Sequence, residues 1–426
     1  MSWLFKTVDP NAPTFHPVTE RYQDSELAGE LEPRDLEWLL AGGFAAETQT
    51  YYNFLEDGTF LMVQFVHSSI GIGIIRPTVQ LTFKMYNPNT KEVIWRSNNV
   101  SNFVTPPPGL DKRSCKSDGF SVTYNSNPGT DTPESYTIVC NACDDVQATL
   151  TIARPASAPG WKIGKGAKAG HSFYGTDIEK PDAAVFHSFW PRTWISGQII
   201  YKGKAIPAEG PGMYVHALMG MRPDRIAKRW NFCNFQSKEH GGVSAIQMEL
   251  TTRPEFGRKV DGKDAENGVT VNFGSIVLGG KLVSVTAETI WPDGSASSHK
   301  SYLSRALHLD TVHDKDTSYA QPSKLRFEWS APSLEAGFPG TISAEVEASV
   351  GTPKEPEGLV EKVDVLAEIP AMVKSVISYV AGTKPYIYQW YKPATLKVTA
   401  PDAILPGASA GLNVEGHLYT EASFIS

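Results

Sequence analysis

The chain has little of what usually makes a protein's chemistry easy to read. Four cysteines in 426 residues cannot form a disulfide framework, and that points to a reducing compartment. No stretch approaches the roughly 18–20 apolar residues that a membrane-spanning helix needs. An excess of positive charge is missing too. Against 39 basic side chains stand 46 acidic ones, a formal net charge of −7, so no polyanion-binding field follows and nucleic acid is set aside as a partner. The ten histidines show no H-E-x-x-H or paired spacing, and neither a metal nor a cofactor is expected. Met1–Pro10 is too soon broken by Pro10 to read as a secretory signal. These gaps set the expectation of a soluble, cytosolic protein.

What is abundant is turn chemistry and aromatic area. With 36 Gly, 30 Pro and 11% aromatics, the composition favours sheets and turns over helical bundles. A single core stops growing near ~250–300 residues, so two units are expected. Apolar alternation supports this. Val79, Leu81, Phe83 and Met85 alternate with Gln80, Thr82 and Lys84, and Asn87–Thr90 turns the chain into Glu92–Arg96. The same period returns at Lys324–Trp329 and at Ser343–Ala348, where Glu345 and Glu347 mark a wet face. Gly279-Gly280 separates Ser275–Leu278 from Lys281–Trp291 as in a hairpin. One-sided strands joined by short turns predict antiparallel sheets, closed or sandwiched.

Helices are expected at Pro33–Ala41 and at Pro370–Ala381, the second packed over a barrel end. Thr105–Pro133 and Gly351–Glu361 read as loops, and the glycine-rich Gly160–Gly170 as a mobile one. The division between units is expected near Pro181–Trp190.

Several motifs carry less than their spelling suggests. Cys140-Asn141-Ala142-Cys143 has metal-knuckle spacing but no second pair. Gly407-Ala408-Ser409-Ala410-Gly411 spells a nucleophile elbow, yet strand-like sequence follows where that motif needs a helix. His187 and His216 sit in apolar strand-like runs and read as core histidines. Arg222–Arg225 with Lys228-Arg229 is a charged turn, solvated or contacting an anion. At the start of the chain, Trp3, Leu4, Phe5 and Val8 cover one side of a helical turn opposite Lys6. Such a segment suits a membrane interface, or else plugs the protein's own barrel.

Longer words are recognisable. Tyr174-Gly175-Thr176-Asp177, Phe189-Trp190-Pro191-Arg192, Arg229–Phe232 with Asn234–Ser237, and Ala381–Tyr386 resemble the signature stretches of the fungal oxidative-stress survival factor family. The resemblance implies an all-β fold of two tandem lipocalin-like (calycin-type) barrels. With the boundary above, it gives an amphipathic segment at 1–18, a first barrel at 19–185 and a second at 186–426. It further implies non-vesicular transfer of ceramide from the endoplasmic reticulum to the Golgi and survival of oxidative stress. The implied place is the cytoplasm, peripherally on endoplasmic reticulum and cis-Golgi membranes, with the nucleus as a further compartment. It also implies an acetylated terminus, which after loss of Met1 falls on Ser2. Removing that terminal charge would ease burial among lipid tails.

A lipid carrier needs a cavity and few polar groups, because each buried methylene contributes ~0.8 kcal/mol. Arg192, Tyr214, His216, Arg229, Asn231, Asn234 and Gln247 interrupt apolar runs and are the lipid-binding candidates, with internal barrel hydrogen bonds as the competing role. No catalytic constellation is visible, so a non-enzyme is expected. The alternative is a pericyclase- or isomerase-like enzyme on the same scaffold, which would need little acid–base machinery.

Overall fold

The computed structural model describes residues 12–71, 76–257, 266–295, 297–365 and 384–425. The long strands of the first sheet are β1 (Phe44–Phe54), β2 (Phe60–Ile70), β3 (Thr78–Asn87), β4 (Glu92–Val100), β5 (Phe120–Ser126), β6 (Glu134–Cys143), β7 (Val146–Arg154), β8 (Ala183–Tyr201) and β9 (Gly210–Met219), with short strands added at its margins. Their order is β4-β3-β2-β1-β9-β8-β7-β6-β5. The second sheet holds β10 (Arg229–Ser237), β11 (Val243–Thr251), β12 (Thr270–Leu278), β13 (Lys281–Ile290), β14 (Leu303–Leu309), β15 (Lys324–Pro332), β16 (Thr341–Ser349), β17 (Leu359–Asp364), β18 (Tyr386–Thr399) and β19 (Leu412–Phe424). It runs β13-β12-β11-β10-β19-β18-β16-β15-β14, with β17 on β18.

Each sheet opens with a four-strand meander whose first strand pairs antiparallel with the sheet's last, β1 with β9 and β10 with β19. That wiring curls both sheets into lipocalin-like tandem units, one a half-barrel and one nearly closed. The outer strands of the second sheet meet through side chains. Glu288 on β13 accepts from the Ser304 backbone N–H of β14 at 3.1 Å and pairs with Arg305 at 2.7 Å.

Alternation decides which core a residue joins. Tyr51, Val63, Phe65, Leu81, Phe83, Ile138 and Trp190 fill the first interior. Phe235, Leu325, Phe327, Trp329, Tyr388 and Trp390 fill the second. Their strand neighbours point the other way and form a third core between the units. Tyr52, Phe54, Phe60 and Met62 there meet Phe232, Phe273, Tyr391 and Tyr419. Phe60 stacks on Tyr419 with ring centroids 4.3 Å apart. The two units therefore share an apolar wall.

The alternating strands and the Gly279-Gly280 hairpin form where expected, and β15 and β16 pair across the wet face through Arg326 and Glu347. Other expectations are corrected. The division does not fall at 185/186: β8 and β9 hydrogen-bond within the first sheet, so the chain crosses between Met219 and Arg229, through the short helix Pro223–Ile226. Likewise the segment 1–18 is not wholly separate, because Phe15–His16 pairs with Phe173–Tyr174 and Phe15 and Val18 are buried.

The helix expected over Pro33–Ala41 is a single 3-10 turn at Pro33–Asp35. Beyond it, the Leu39 and Leu40 backbone N–H groups bond to the Glu47 carboxylate at 2.7 and 2.8 Å, which draws them out of a helical ladder. Thr105–Pro133 contains Cys115–Lys116 and β5, and the start of the expected Gly160–Gly170 loop, Trp161–Ile163, pairs with Ala28–Glu30. Its Lys162 is buried against Asp35 at 2.7 Å. Cys140 lies in β6, inside the first core. The stretch Pro370–Ala381 lies outside the described residues.

Candidate functional site

Among the described residues, apolar side chains pack into a core inside each barrel, and an apolar crevice lies outside both. A crevice of about 230 Å³ opens between the two sheets, at the end of their shared wall. Period-two strands supply its lining: Ala46 and Thr48 from β1, Ala217 and Met219 from β9, Trp230 and Phe232 from β10. All of these sit on the same strand faces as the inter-barrel core. Met248 of β11 and Ile387 of β18 complete an almost wholly apolar surface.

Polar groups at the crevice are few. His187 on β8 lies between Val185 and Phe189 on the inter-barrel face. Its ring contacts Phe273 at 5.5 Å and makes no hydrogen bond among the described residues. Burial, with His171 and His216 adding to it, lowers its pKa to about 3. It is therefore a neutral imidazole, with one nitrogen to donate and one to accept. Glu421 and Ser423 come from β19. Burial pushes the Glu421 carboxyl above the usual carboxylate range, opposed by hydrogen bonds from Tyr419 and Gln389 and by the charge of Lys84. The Tyr419 hydroxyl and the Gln389 amide Nε2 both donate to Glu421 Oε1, at 2.5 and 2.8 Å.

Lys84 carries that network across the seam. It lies on the polar-looking face of β3, yet its side chain is only 1% exposed. It donates to Gln389 at 2.6 Å and Glu361 at 2.8 Å on the other sheet. Its ammonium sits 4.1 Å from the Trp95 ring centroid. The cation is thus engaged behind the crevice, and among the described residues no cationic side chain lines it. Such a site suits a neutral amphiphile: a long apolar body and a small head carrying amide and hydroxyl groups.

The seven nominated residues do not converge. Tyr214 lies inside the first barrel between Tyr51 and Tyr136, at ring distances of 4.8 and 5.2 Å. His216 is held by the Asp35 carbonyl and the Glu47 carboxylate, both at 2.8 Å. Arg229, Asn231 and Gln247 belong to a polar network inside the second barrel. There Glu249 accepts from Asn231 at 2.7 Å, Asn272 at 2.9 Å and Arg229 at 3.1 Å. Gln247 donates to Ser304 at 3.1 Å. Asn234 accepts from Gln236 at 2.9 Å, and Arg192 stands at the far end of the seam. None of the seven lines the crevice. Trp3, Leu4, Phe5, Val8 and Ser2 lie outside the described residues.

The sequence reading missed Glu421 as a site residue, although one cue existed. Glu421 is an acid placed between Tyr419 and Ser423 in a run, Leu418–Phe424, otherwise without charge.

Comparison with known proteins extends the resemblance over the whole chain. The model of the Svf1 family matches residues 2–426. The protein named ceramide-binding protein svf1 from Aspergillus fumigatus is 30% identical, with all of both chains covered. Its namesake from Schizosaccharomyces pombe is 29% identical over 100% of this chain and 98% of that one. Two solved structures share the fold. CghA, solved with Sch210972, gives a TM-score of 0.58 at 11% identity and covers 97% of this chain and 99% of its own. An AttH-type protein of Nitrosomonas europaea gives 0.51 at 13% identity, covering 93% and 98%.

Proposed function

The chain belongs to the Svf1 family, and on that premise we propose that it carries a ceramide-like lipid, loaded at the crevice between its two barrels. The observation that supports this reading is the apolar crevice itself, a greasy opening on the seam between the two units. The ligand head meets Glu421, Ser423 and the neutral His187, which can satisfy hydroxyls and an amide without an ionic partner. At about 230 Å³ the crevice is smaller than the ~300–1,000 Å³ of full ligand sites. Loading therefore widens the seam, and the hydrocarbon chains follow the inter-barrel wall. Each methylene taken from water contributes ~0.8 kcal/mol, enough to drive that separation without any chemical step. The role is binding rather than catalysis.

We further propose that residues 2–8 dock the protein on membranes, with Ser2 acetylated after loss of Met1. The lipid then moves from the endoplasmic reticulum to the Golgi without vesicles, and its delivery supports survival of oxidative stress. Deleting residues 2–8 should shift the protein to the soluble fraction.

The deciding experiment fills the crevice. Ala217→Trp places an indole where Ala217 now leaves space, while Tyr214 and His216 in the packed first barrel are untouched. Native mass spectrometry should find ceramide-like lipid on the wild type and at least about tenfold less on the folded variant. Equal lipid on both would defeat the crevice as the site, and a time-dependent mass change of the ligand would favour an enzyme instead.

A further inference from the structure

A second groove lies at the opposite end of the seam, roughly 25–30 Å along β10 from the crevice by strand rise. It holds about 500 Å³ and is lined by Arg192, Thr193 and Ser157 from the first unit and by Lys238, Gly242 and Gly280 from the second. It shares no lining residue with the lipid crevice, so what it binds is independent of the ceramide reading.

Arg192 reaches the groove because β8 is bulged. The pairing of β8 with β9 slips between Trp190 and Thr193, and Pro191 and Arg192 fall in the slip. A bulge turns a side chain out of the regular alternation. The Arg192 guanidinium crosses to the second unit, where Nη1 donates to Gln236 Oε1 and the Val243 carbonyl, both at 3.2 Å. Nε and Nη2 find no acceptor among the described residues, and no carboxylate pairs with the side chain. The residue is nonetheless only 8% exposed. Its face lies flat on Gly242, where an added Cβ would stand 2.7 Å from Nη2 and 2.8 Å from Cζ.

A buried cation without a counter-ion is costly, and burial lowers the Arg192 pKa to about 10. Three nearby carboxylates are engaged elsewhere: Glu134 with Arg154, Glu56 with Lys238, and Glu239 with the Glu415 backbone N–H at 2.8 Å. Lys238, on the groove's other wall, points the same way: its half-exposed ammonium is held by a surface pair with Glu56 at 3.0 Å. Two free guanidinium nitrogens and a nearby ammonium are a donor set that awaits an oxyanion.

We propose that this groove binds a phosphate group, carried either by a phosphorylated lipid head or by a small soluble phosphate. The guanidinium fork takes two phosphate oxygens, and Lys238 exchanges part of its surface pairing for the anion. The Gly241-Gly242 and Gly279-Gly280 turns, all at positive φ, bring backbone close to the ligand with no Cβ in the way.

The test uses full-length protein titrated by calorimetry at constant ionic strength, with sodium phosphate, dihexanoyl phosphatidic acid and sodium chloride as probes. One of the two phosphates should bind saturably below about 10 mM, and chloride should not. Arg192→Lys keeps the charge but loses the fork and should weaken binding about tenfold. Lys238→Gln, at an exposed position in the groove lining, should weaken it about threefold with thermal stability unchanged. The glutamine variant decides the matter should the lysine variant fold poorly. Binding of the lipid phosphate alone assigns the site to a headgroup, and equal binding of both assigns it to a soluble phosphate. No saturable binding of either, or undiminished affinity in Lys238→Gln, overturns the proposal.

Discussion

Glu249 is 2% exposed inside the second barrel, and four donors converge on it: Asn231, Asn272, Arg229 and the Ala306 backbone N–H. Deleting the acceptor leaves buried amides and a guanidinium without a partner. Glu249→Ala should therefore lower stability by about 3–5 kcal/mol, read from the urea midpoint. Its neighbour His308 donates to Asn231 Oδ1 at 2.7 Å, and burial followed by repulsion from Arg229 lowers its pKa from 6.5 to about 3. The unfolded chain thus binds a proton that the folded one refuses between these values. Stability is full above pH 6.5 and declines as pH falls toward 3. Thermal melts should show this decline, and His308→Gln should flatten it relative to the wild type. At this scale the sequence was half legible. Asn231, Arg229 and Gln247 stood out as polar interruptions, but their partners Glu249 and Asn272 arrive from other strands, and only register brings them together.

β8 pairs with β7 along one half and with β9 along the other, and Gly197 lies in the half paired with β7. There φ is 140°, and an added Cβ would meet the Thr149 carbonyl oxygen at 2.2 Å. Gly197→Ala should cost about 3 kcal/mol in chemical denaturation. An unchanged midpoint would mean that the strands slide apart without penalty. Alternation in β3, β15 and β16 was readable because one face of each is plainly apolar. The other face of β3 was not. Lys84 reads as solvated, yet the second sheet covers it, and a strand's own text does not record what packs on its polar side. Pro33–Ala41 failed for a related reason: its leucines have helical spacing, but Glu47, on a separate strand, captures their backbone N–H groups.

Across the whole molecule, the wall of Tyr52, Phe54, Phe60, Phe232, Tyr391 and Tyr419 joins the units. The start of the described chain adds a clasp: Thr19 hydrogen-bonds Thr289 of the second sheet at 2.7 Å, and His299 Nε2 bonds the Thr19 carbonyl at 2.6 Å. Heat or urea should unfold both units in one transition, with tryptophan fluorescence and far-ultraviolet dichroism superimposing. Two resolved steps would show that the shared wall is weaker than its area suggests. The tandem all-β plan was legible from alternation and turn spacing. The crossing point was not, because β8 and β9 carry the same pattern as the strands that follow them.

The pairing of β10 with β19 also bears on how the protein is made. A ribosome releases Arg229–Ser237 long before Leu412–Phe424, so the second barrel waits through most of its own synthesis with a bare, sticky margin. Its yield in cells should then depend on holdase chaperones and fall when translation outruns them.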